Sequence, residues 1–350
     1  MIYDIIIIGT SPLAIFEAFY RSQKGENILM IEKSNSIGGA WKSISLSGIN
    51  DIENAIHYLI PNNNAFKFFE ENLKLKISKT FKKKSIYNIP LLGIIVLNYD
   101  SFLTRVIKLF YKEKINASDF RRLFNQEYHS RYFKNGSPAL IETISQMILI
   151  SNIKVELNNE VSKIHIDKTI SIYTRGGKIF KSKEIICSNG SRIRNLIFRG
   201  EQINIHEKIQ LRPSVHLVIR DKQNSKINEA IFLNNNLIKY VHDVTKYAQV
   251  KNQSTKIFVI ALQHEISENK EVYIKIHEVL KNVGITSSNS KIIEVKWTNV
   301  VLPRLFNEDL QILREKIGDQ FNYLKTESIT HAIEDNYEKW KSINLNYEKR

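Results

Sequence analysis

The first thirty residues of the chain carry two apolar runs that flank an amphipathic segment. Residues 3–8 and 27–31 are rich in isoleucine and other aliphatic side chains, a pattern typical of strands buried on both faces of a parallel sheet. Residues 12–22 between them place apolar side chains at helical spacing. The pattern predicts a β-α-β unit and, with it, an α/β fold whose parallel sheet starts at this unit.

Further along, the apolar spacing changes between helical and alternating. Residues 65–73 and 102–110 have apolar positions three and four apart, which predicts helices. Residues 215–219 and 256–260 predict strands of a mixed sheet, with polar turns between them. The basic face of the 102–110 helix would also suit peripheral contact with an anionic membrane, although packing as an ordinary amphipathic helix is the preferred interpretation.

The turn after the first predicted strand resembles a dinucleotide-binding fingerprint. It reads Gly9-Thr-Ser11-Pro12-Leu-Ala14, so Ser11 stands where the G-x-G-x-x-G/A pattern has its second glycine. The first glycine permits the tight turn, the second lets the backbone approach a pyrophosphate, and the small third residue allows close packing of helix and strand. Ser11 would either crowd the phosphates or donate a hydrogen bond to them. The helix N-terminus still offers N–H groups and a positive dipole end to an anion.

An acidic residue stands at the end of the second predicted strand. Glu32 follows Gly9 by 23 positions. This is close to the spacing of about 20 at which a carboxylate accepts hydrogen bonds from the ribose hydroxyls of a dinucleotide. A carboxylate at this position repels a 2′-phosphate, so NADP fits poorly.

The residues after Glu32 carry a family resemblance. The stretch Glu32-Lys33-Ser-Asn-Ser-Ile-Gly38-Gly39-Ala40-Trp41 resembles the extended cofactor signature of the FAD-dependent superfamily of amine oxidases, protoporphyrinogen oxidase, phytoene desaturases and UDP-galactopyranose mutase. The glycine pair would bring a second stretch of backbone close to the cofactor. The resemblance implies FAD as the cofactor and a Rossmann-like FAD-binding domain. The residues it assigns to the cofactor here are Gly9, Ser11, Pro12, Ala14, Glu32, Lys33, Gly38, Gly39, Ala40 and Trp41.

Three later segments resemble the same superfamily in the same order. Residues 53–59 resemble a Gly-Ala-His segment that runs beside the flavin ring in the mutase, which makes His57 a candidate catalytic residue; the alternative is a hydrogen-bonded core histidine. Residues 132–164 resemble a glycine turn, helix and strand pair in which Val161 would line the adenine site through its backbone. Residues 184–190 resemble an apolar strand and turn, and place Ser188 at the cofactor.

The C-terminal part matches the family pattern less well. Residues 323–333 resemble the start of the helix that closes the flavin site, with Glu327 and Ser328 as cofactor candidates, but the glycines of that helix are missing. Residues 296–305 resemble a tryptophan-to-proline stretch that enters the flavin site, so Trp297 and Arg304 become catalytic candidates that would hold an anionic or sugar substrate. Packing of Trp297 on an edge strand is the alternative.

The resemblance implies a discontinuous domain organisation. Residues 1–60, 132–204 and 296–345 would form the FAD-binding domain. Residues 61–131 and 205–295 would form an inserted α+β substrate domain. The substrate-contacting residues are expected from this inserted part.

Composition narrows the classes of partner. The net charge of +15 is spread along a lysine-, isoleucine- and asparagine-rich chain instead of being concentrated in a stripe, so no nucleic-acid partner is expected, and small anionic substrates remain attractive. The single cysteine, Cys187, excludes an intramolecular disulfide, and the histidines lack metal-ligand spacing, so no metal site is expected. With neither a signal peptide nor a transmembrane segment in the sequence, we expect a cytoplasmic location.

Three functions remain open from the sequence. The first is an FAD-dependent, amine oxidase-like oxidoreductase that transfers a hydride from a small organic substrate to flavin. The second is a nucleotide-sugar mutase-like flavoenzyme of polysaccharide metabolism, which the His57 segment and the basic charge favour. The third is a non-catalytic protein that uses the FAD fold to bind a partner, which Ser11 and the atypical C-terminal helix favour.

Overall fold

The computed structural model of the protein contains two large β-sheets with helices packed against them. It describes residues 1–55, 57–78, 83–89, 93–98, 103, 131–188, 195–222, 230–233, 236–248, 250, 252–263, 266–305, 307–324 and 328–343.

The secondary-structure elements fall in the following order. The strands are β1 (Ile2–Ile8), β2 (Ile28–Ile31), β3 (Ser43–Leu46), β4 (Ile49–Glu53), β5 (Lys83–Ile89), β6 (Gly93–Asn98), β7 (Lys154–Glu156), β8 (Val161–Ile166), β9 (Ile170–Thr174), β10 (Ile179–Ser188), β11 (Leu196–Phe198), β12 (Glu201–Ile203), β13 (Glu207–Arg220), β14 (Ala230–Leu233), β15 (Ile238–Asp243), β16 (Thr255–Leu262), β17 (Lys291–Leu305) and β18 (Phe321–Leu324). The helices are α1 (Pro12–Ser22), α2 (Asn63–Lys67), α3 (Gly136–Leu149), α4 (Lys270–Asn282), α5 (Asn307–Ile317), α6 (Ile329–Asp335) and α7 (Tyr337–Trp340).

The first sheet is built around five parallel strands in the order β18-β10-β1-β2-β7. Its central strand is the isoleucine run of β1, which pairs with β2 on one side and with β10 on the other. Side chains from residue 5 to residue 8 of β1 are buried on both faces, as a doubly covered parallel strand requires. The β-α-β unit predicted from the sequence is therefore present and forms the middle of this sheet.

Alternate residues of β1 point to two different cores. Ile5 and Ile7 pack against α1, α3, α6 and α7 on one face of the sheet. Ile6 and Ile8 pack on the other face, against α5 and the strands β8, β9, β11 and β12. This separation follows from the two-residue side-chain period of a strand.

The C-terminal helices are tied to α1 by a buried acid. The carboxylate of Glu17 accepts hydrogen bonds from Lys339 Nζ at 2.5 Å and from Trp340 Nε1 at 3.1 Å. Glu17 also pairs with Arg21 one turn later in α1. Because Trp340 is itself 1% exposed and packs edge-on to Phe16, the last described helix is part of the main core.

The second sheet has seven strands in the order β17-β13-β16-β15-β14-β5-β6. Its pairs are antiparallel except for β14 with β5. Helix α4 covers one face, and the β3–β4 hairpin packs on the other. The strands predicted at 215–219 and 256–260 are confirmed in β13 and β16. Residues 296–305 lie in β17 of this sheet, and the division into domains stays a prediction.

The helix predicted at 65–73 is broken into two parts. Residues 63–67 form α2, and Phe68–Asn72 continue it as a π-helical turn. The wider turn accompanies burial of both Phe68 and Phe69, adjacent residues that a regular helix would spread by about 100°. The helix predicted at 102–110 lies outside the described residues apart from residue 103. In the described part of the chain, no helix has the length and apolar character needed to cross a membrane.

Candidate functional site

The turn between β1 and α1 has the geometry that the fingerprint requires. Gly9 has a φ of 92°, in the left-handed region that favours glycine, and its N–H donates to Ile31 O at 2.8 Å. Pro12 occupies the first turn of α1, where its missing N–H has no cost. Ala14 is completely buried, as expected of the small residue that lets helix and sheet approach.

Ser11 caps helix α1. Its hydroxyl accepts a hydrogen bond from Ala14 N at 3.4 Å, and its extended backbone is typical of an N-cap residue. An anion bound at this helix end would therefore share the Ala14 N–H with the serine hydroxyl. This is the local consequence of having serine where the fingerprint has glycine.

Glu32 lies at the carboxyl end of β2, directly beside that turn. One carboxylate oxygen accepts from the backbone N–H and the hydroxyl of Thr10, at 3.0 and 2.8 Å. The other oxygen, Oε1, accepts from Ser34 N at 2.9 Å. Since a carboxylate oxygen can accept two hydrogen bonds, Oε1 retains capacity for a ligand hydroxyl.

The glycine pair brings a second loop against the first turn. Gly38 has a φ of 102°, and its N–H donates to Thr10 O at 2.9 Å. A Cβ on Gly39 would be in ordinary contact with Ser11 Cα at 3.6 Å, and one on Gly38 would meet only the flexible end of Ile141. Glycine is favoured here because Gly39, with a φ of 58°, is also left-handed, and this backbone lets residues 38–41 turn back against the β1–α1 turn.

Three further predicted cofactor residues surround the same edge of the sheet. The turn before β8 follows the end of β2, because Asn159 N donates to Glu32 O at 2.9 Å, and Val161 begins β8 two residues later. Lys33 is exposed next to Glu32. Ser188 is buried at the end of β10, opposite Leu324 of β18. The carboxyl ends of β1, β2 and β10 thus meet at one edge, the usual ligand side of a parallel sheet.

His57 lies next to this edge through its contacts with residues 40 and 41. Its Nε2 is 2.9 Å from Ala40 O, and its ring stacks on Trp41 with centroids 4.0 Å apart and an interplanar angle of 14°. The side chain is half-buried. The structure therefore brings His57, Ala40 and Trp41 together, and the catalytic role of His57 stays a prediction.

The structure adds a buried acid that the sequence reasoning missed. Glu53 is completely buried at the end of β4; its carboxylate accepts from Tyr132 Oη and from Ser137 N at 2.8 Å. Burial raises the pKa of Glu53 to about 7 against the lowering effect of these two hydrogen bonds. Gly136 makes room for it, because a Cβ there would lie 2.7 Å from Glu53 Oε1.

Two buried histidines of the second sheet lie beside Glu53. His216 Nε2 is 2.8 Å from the backbone carbonyl of Glu53, and the ring of His242 packs edge-on to Tyr132 with centroids 5.4 Å apart. Burial lowers the pKa of His216 to about 4 and that of His242 to about 3, so both are neutral near pH 7. A lone acid at a strand end and isolated histidines in strands carry no sequence signal for such a cluster.

The remaining predicted residues lie elsewhere. Trp297 faces α4, since it pairs with the core residue Val215 and its ring lies 6.4 Å from that of Tyr273. His216, the next residue of β13, points to the opposite face and to Glu53. The second sheet thus separates Trp297 from the Glu53 cluster, and its catalytic role stays a prediction. Arg304 pairs with Lys208 near the end of β17.

The C-terminal candidates are described only in part. Ser328 occupies the N-cap position of α6, where its hydroxyl lies 2.8 Å from that of Thr330. Glu327 lies outside the described residues, and so does the turn at 189–190. The roles of all these residues stay predictions.

The arrangement at the edge of the first sheet fits the adenosine end of FAD. It combines a glycine turn, a helix N-terminus, a carboxylate with remaining acceptor capacity and a second glycine loop in mutual contact. The one departure from the fingerprint is Ser11, whose hydroxyl caps α1.

Comparison with known proteins shows similarity of fold. No family model matches the sequence, and no curated protein sequence matches it. Putrescine oxidase bound to putrescine has a similar structure, with 13% identity, a TM-score of 0.69 and 98% of this chain and 99% of that chain covered. A structure described as a protoporphyrinogen oxidase from Exiguobacterium has 12% identity, a TM-score of 0.64 and 97% and 98% coverage.

A third similar structure is that of a protein that is not described as an oxidase. The Rab GDI of Plasmodium falciparum has 13% identity, a TM-score of 0.59 and 97% of each chain covered. Sequence identities of 12–13% show similarity of fold alone. The protein therefore has the α/β fold of putrescine oxidase over nearly its whole length.

Proposed function

We propose that the protein is an FAD-dependent oxidoreductase that transfers a hydride from a small organic substrate to the flavin. The observation that carries this proposal is the meeting of the Gly9 turn, Glu32 and the Gly38-Gly39 loop at one edge of the parallel sheet. Flavin supplies the hydride acceptor when bound, and the protein supplies position and electrostatics.

Each part of this edge has a defined task in the proposal. Glu32 Oε1 accepts a ribose hydroxyl, and its charge disfavours a dinucleotide with a 2′-phosphate. The N-terminus of α1 faces the pyrophosphate, with Ser11 sharing its N–H groups. The stacked rings of His57 and Trp41 lie beside the Gly38-Gly39 loop. In the proposal, the imidazole of His57 hydrogen-bonds the flavin ring or the substrate and exchanges a proton with it.

The first test is the absorption spectrum of the purified protein. We expect a flavin spectrum, with FAD and no FMN released on denaturation. A colourless protein that cannot be reconstituted with added FAD would overturn the proposal. Reduction of the bound flavin under anaerobic conditions by a panel of amines and alcohols then identifies the substrate class.

A non-catalytic binding protein is the second candidate. Two observations favour it: the Ser11 hydroxyl already caps α1, and one structure of the same fold is a Rab GDI, not an oxidase. The same spectrum separates the candidates, because a binding protein without flavin stays colourless even though it is folded. Circular dichroism of the colourless sample distinguishes that result from simple misfolding.

A further inference from the structure

The Glu53–Tyr132 hydrogen bond closes a loop of chain that carries His57. At one end, Tyr132 Oη donates to the carboxylate of Glu53. At the other end, Leu59 and Arg131 exchange two backbone hydrogen bonds, each 2.9 Å long. Residues 131 and 132 are neighbours, so the same short stretch holds both ends. The backbone of Glu53 is held opposite Ser43 in the β3–β4 hairpin, so loss of the carboxylate hydrogen bond loosens Tyr132 and, through Arg131, the backbone pair that holds Leu59. Leu59 ends the segment on which His57 stacks against Trp41.

The groups around Glu53 come from several elements. Tyr132 and Ser137 donate to its carboxylate, and His216 of β13 contacts its carbonyl oxygen. The charge of Lys246 favours the ionised form of Glu53, but burial outweighs it. The other titratable neighbours are neutral side chains that pack around the ring of Tyr132, namely Tyr58, Tyr247 and His242.

We infer that Glu53 is a proton-gated positioning residue: its uncharged form holds residues 57–59 closed between the two sheets, and loss of its proton favours opening of that segment. The consequence for catalysis rests on the function proposed above, through His57. The opening itself is a property of the folded chain and is measured without substrate.

The coupling follows from linkage between protonation and opening. In an open segment the carboxyl group reaches water and ionises at its ordinary pKa of 4.5, whereas burial raises the pKa to about 7 in the closed segment. Between these two values the open state binds fewer protons than the closed state. The opening equilibrium therefore increases about tenfold for each pH unit across that window and is constant above it.

Hydrogen exchange of the full chain measures this opening. Peptides that contain residues 57–59 are followed between pH 5 and pH 8, and their rates are corrected for the chemical exchange rate at each pH. For the wild-type protein we expect the opening constant to rise by about 40-fold from pH 5 to pH 7 and to level off towards pH 8. In Glu53→Gln the rise should disappear, because the amide does not titrate. Glu71→Gln, which changes an exposed acid, should retain the wild-type curve.

Tyr132→Phe provides a second and independent test. It keeps the acid but removes the hydroxyl donor that lowers the pKa of Glu53, so the curve should level off at a higher pH than in the wild type. A merely structural role of Tyr132 would change the level of opening and leave this pH unchanged. The inference is overturned if wild-type opening does not depend on pH, if Glu53→Gln keeps the rise, or if Tyr132→Phe levels off at the wild-type pH. Should Glu53→Gln fail to fold, the wild-type and Tyr132→Phe curves decide. A colourless protein with the expected curves would refute the flavin proposal and leave this inference intact.

Discussion

Glu32 and Glu53 are both buried acids at strand ends, yet their surroundings differ. Glu32 lies at the open edge of the first sheet, where three donors from nearby residues leave one oxygen able to accept a ligand. Glu53 lies between the two sheets and is satisfied by residues distant in sequence, Tyr132 and Ser137. A carboxylate with a remaining acceptor position at a sheet edge suits ligand binding, whereas complete enclosure between layers raises the pKa of the other into the neutral range.

The largest expected effect concerns the pH dependence of stability at Glu53. Because its folded pKa is raised, Glu53 contributes stability that is complete below pH 4.5 and is lost as the pH rises to about 7. Glu53→Gln removes this dependence. The free energy of unfolding of the variant minus that of the wild type should therefore increase by about 3 kcal/mol between pH 4.5 and 7. Urea unfolding at several pH values measures it.

The buried histidines act in the opposite direction and serve as an internal check. With their pKa values lowered to about 4 and 3, His216 and His242 make both proteins more stable as the pH rises towards 6.5. That contribution cancels in the difference between variant and wild type. Parallel pH profiles for the two proteins would show that Glu53 has an ordinary pKa in the folded protein and would contradict its distinction from an exposed acid.

The next effect concerns FAD affinity at Glu32. Replacement of Glu32 by Gln removes the charged acceptor for the ribose and should weaken FAD binding by roughly 1.5–3 kcal/mol, as for a hydrogen bond to a charged group. Titration of the apoprotein with FAD, followed by flavin fluorescence, measures it. Glu160→Gln is the matched control, since Glu160 is a nearby acid paired with Arg175. Equal affinities in both variants would place the cofactor elsewhere.

A smaller effect is expected at His57, which follows both acids along the chain. His57→Gln keeps a hydrogen-bonding group and removes titration, so FAD and fold should be retained while flavin reduction by substrate slows about tenfold or more. Stopped-flow absorbance measures the rate, with the exposed His331→Gln as control. Wild-type turnover would make His57 a packing residue. Until a substrate is found, a shift in the flavin absorption maximum of the variant is the usable measurement.

The smallest effect is expected at Ser11. Ser11→Gly restores the glycine of the fingerprint and removes the hydroxyl that caps α1. A serine-to-glycine change at an N-cap costs only a few tenths of a kcal/mol, on the order of 0.3. We expect a slightly lower melting temperature together with a gain in FAD affinity of less than about tenfold. Weaker FAD binding would show instead that the serine hydroxyl contacts the phosphates.

The sequence predicted the β-α-β unit because its determinants are local. Residues 3–31 contain both strands, the helix and the turn, so apolar spacing and one glycine were sufficient. Glu53 escaped prediction because its partners Tyr132, Ser137 and His216 lie 79, 84 and 163 positions away. Only the assembled layers bring them together.

Trp297 illustrates a second limit of sequence patterns. Strand alternation indicates that Trp297 and its neighbours point to opposite faces of a sheet, but it does not indicate which face meets the cofactor. That depends on the pairing of β17 with β13, in which Trp297 lies opposite Val215 and shares its core with α4. The side-chain direction is thus decided by register, a long-range property.

The position of β18 has a consequence for how the protein is made. Its pairing with β10 joins Phe321 to Ile185, so the parallel sheet is completed by a segment more than a hundred residues downstream of its neighbour. While the ribosome synthesises the intervening chain, that side of β10 exposes unpaired backbone groups of an apolar strand. Such non-local pairing slows folding and favours association with other chains. Production of this protein should therefore respond to chaperone supply and to the rate of synthesis more than its ordinary composition suggests.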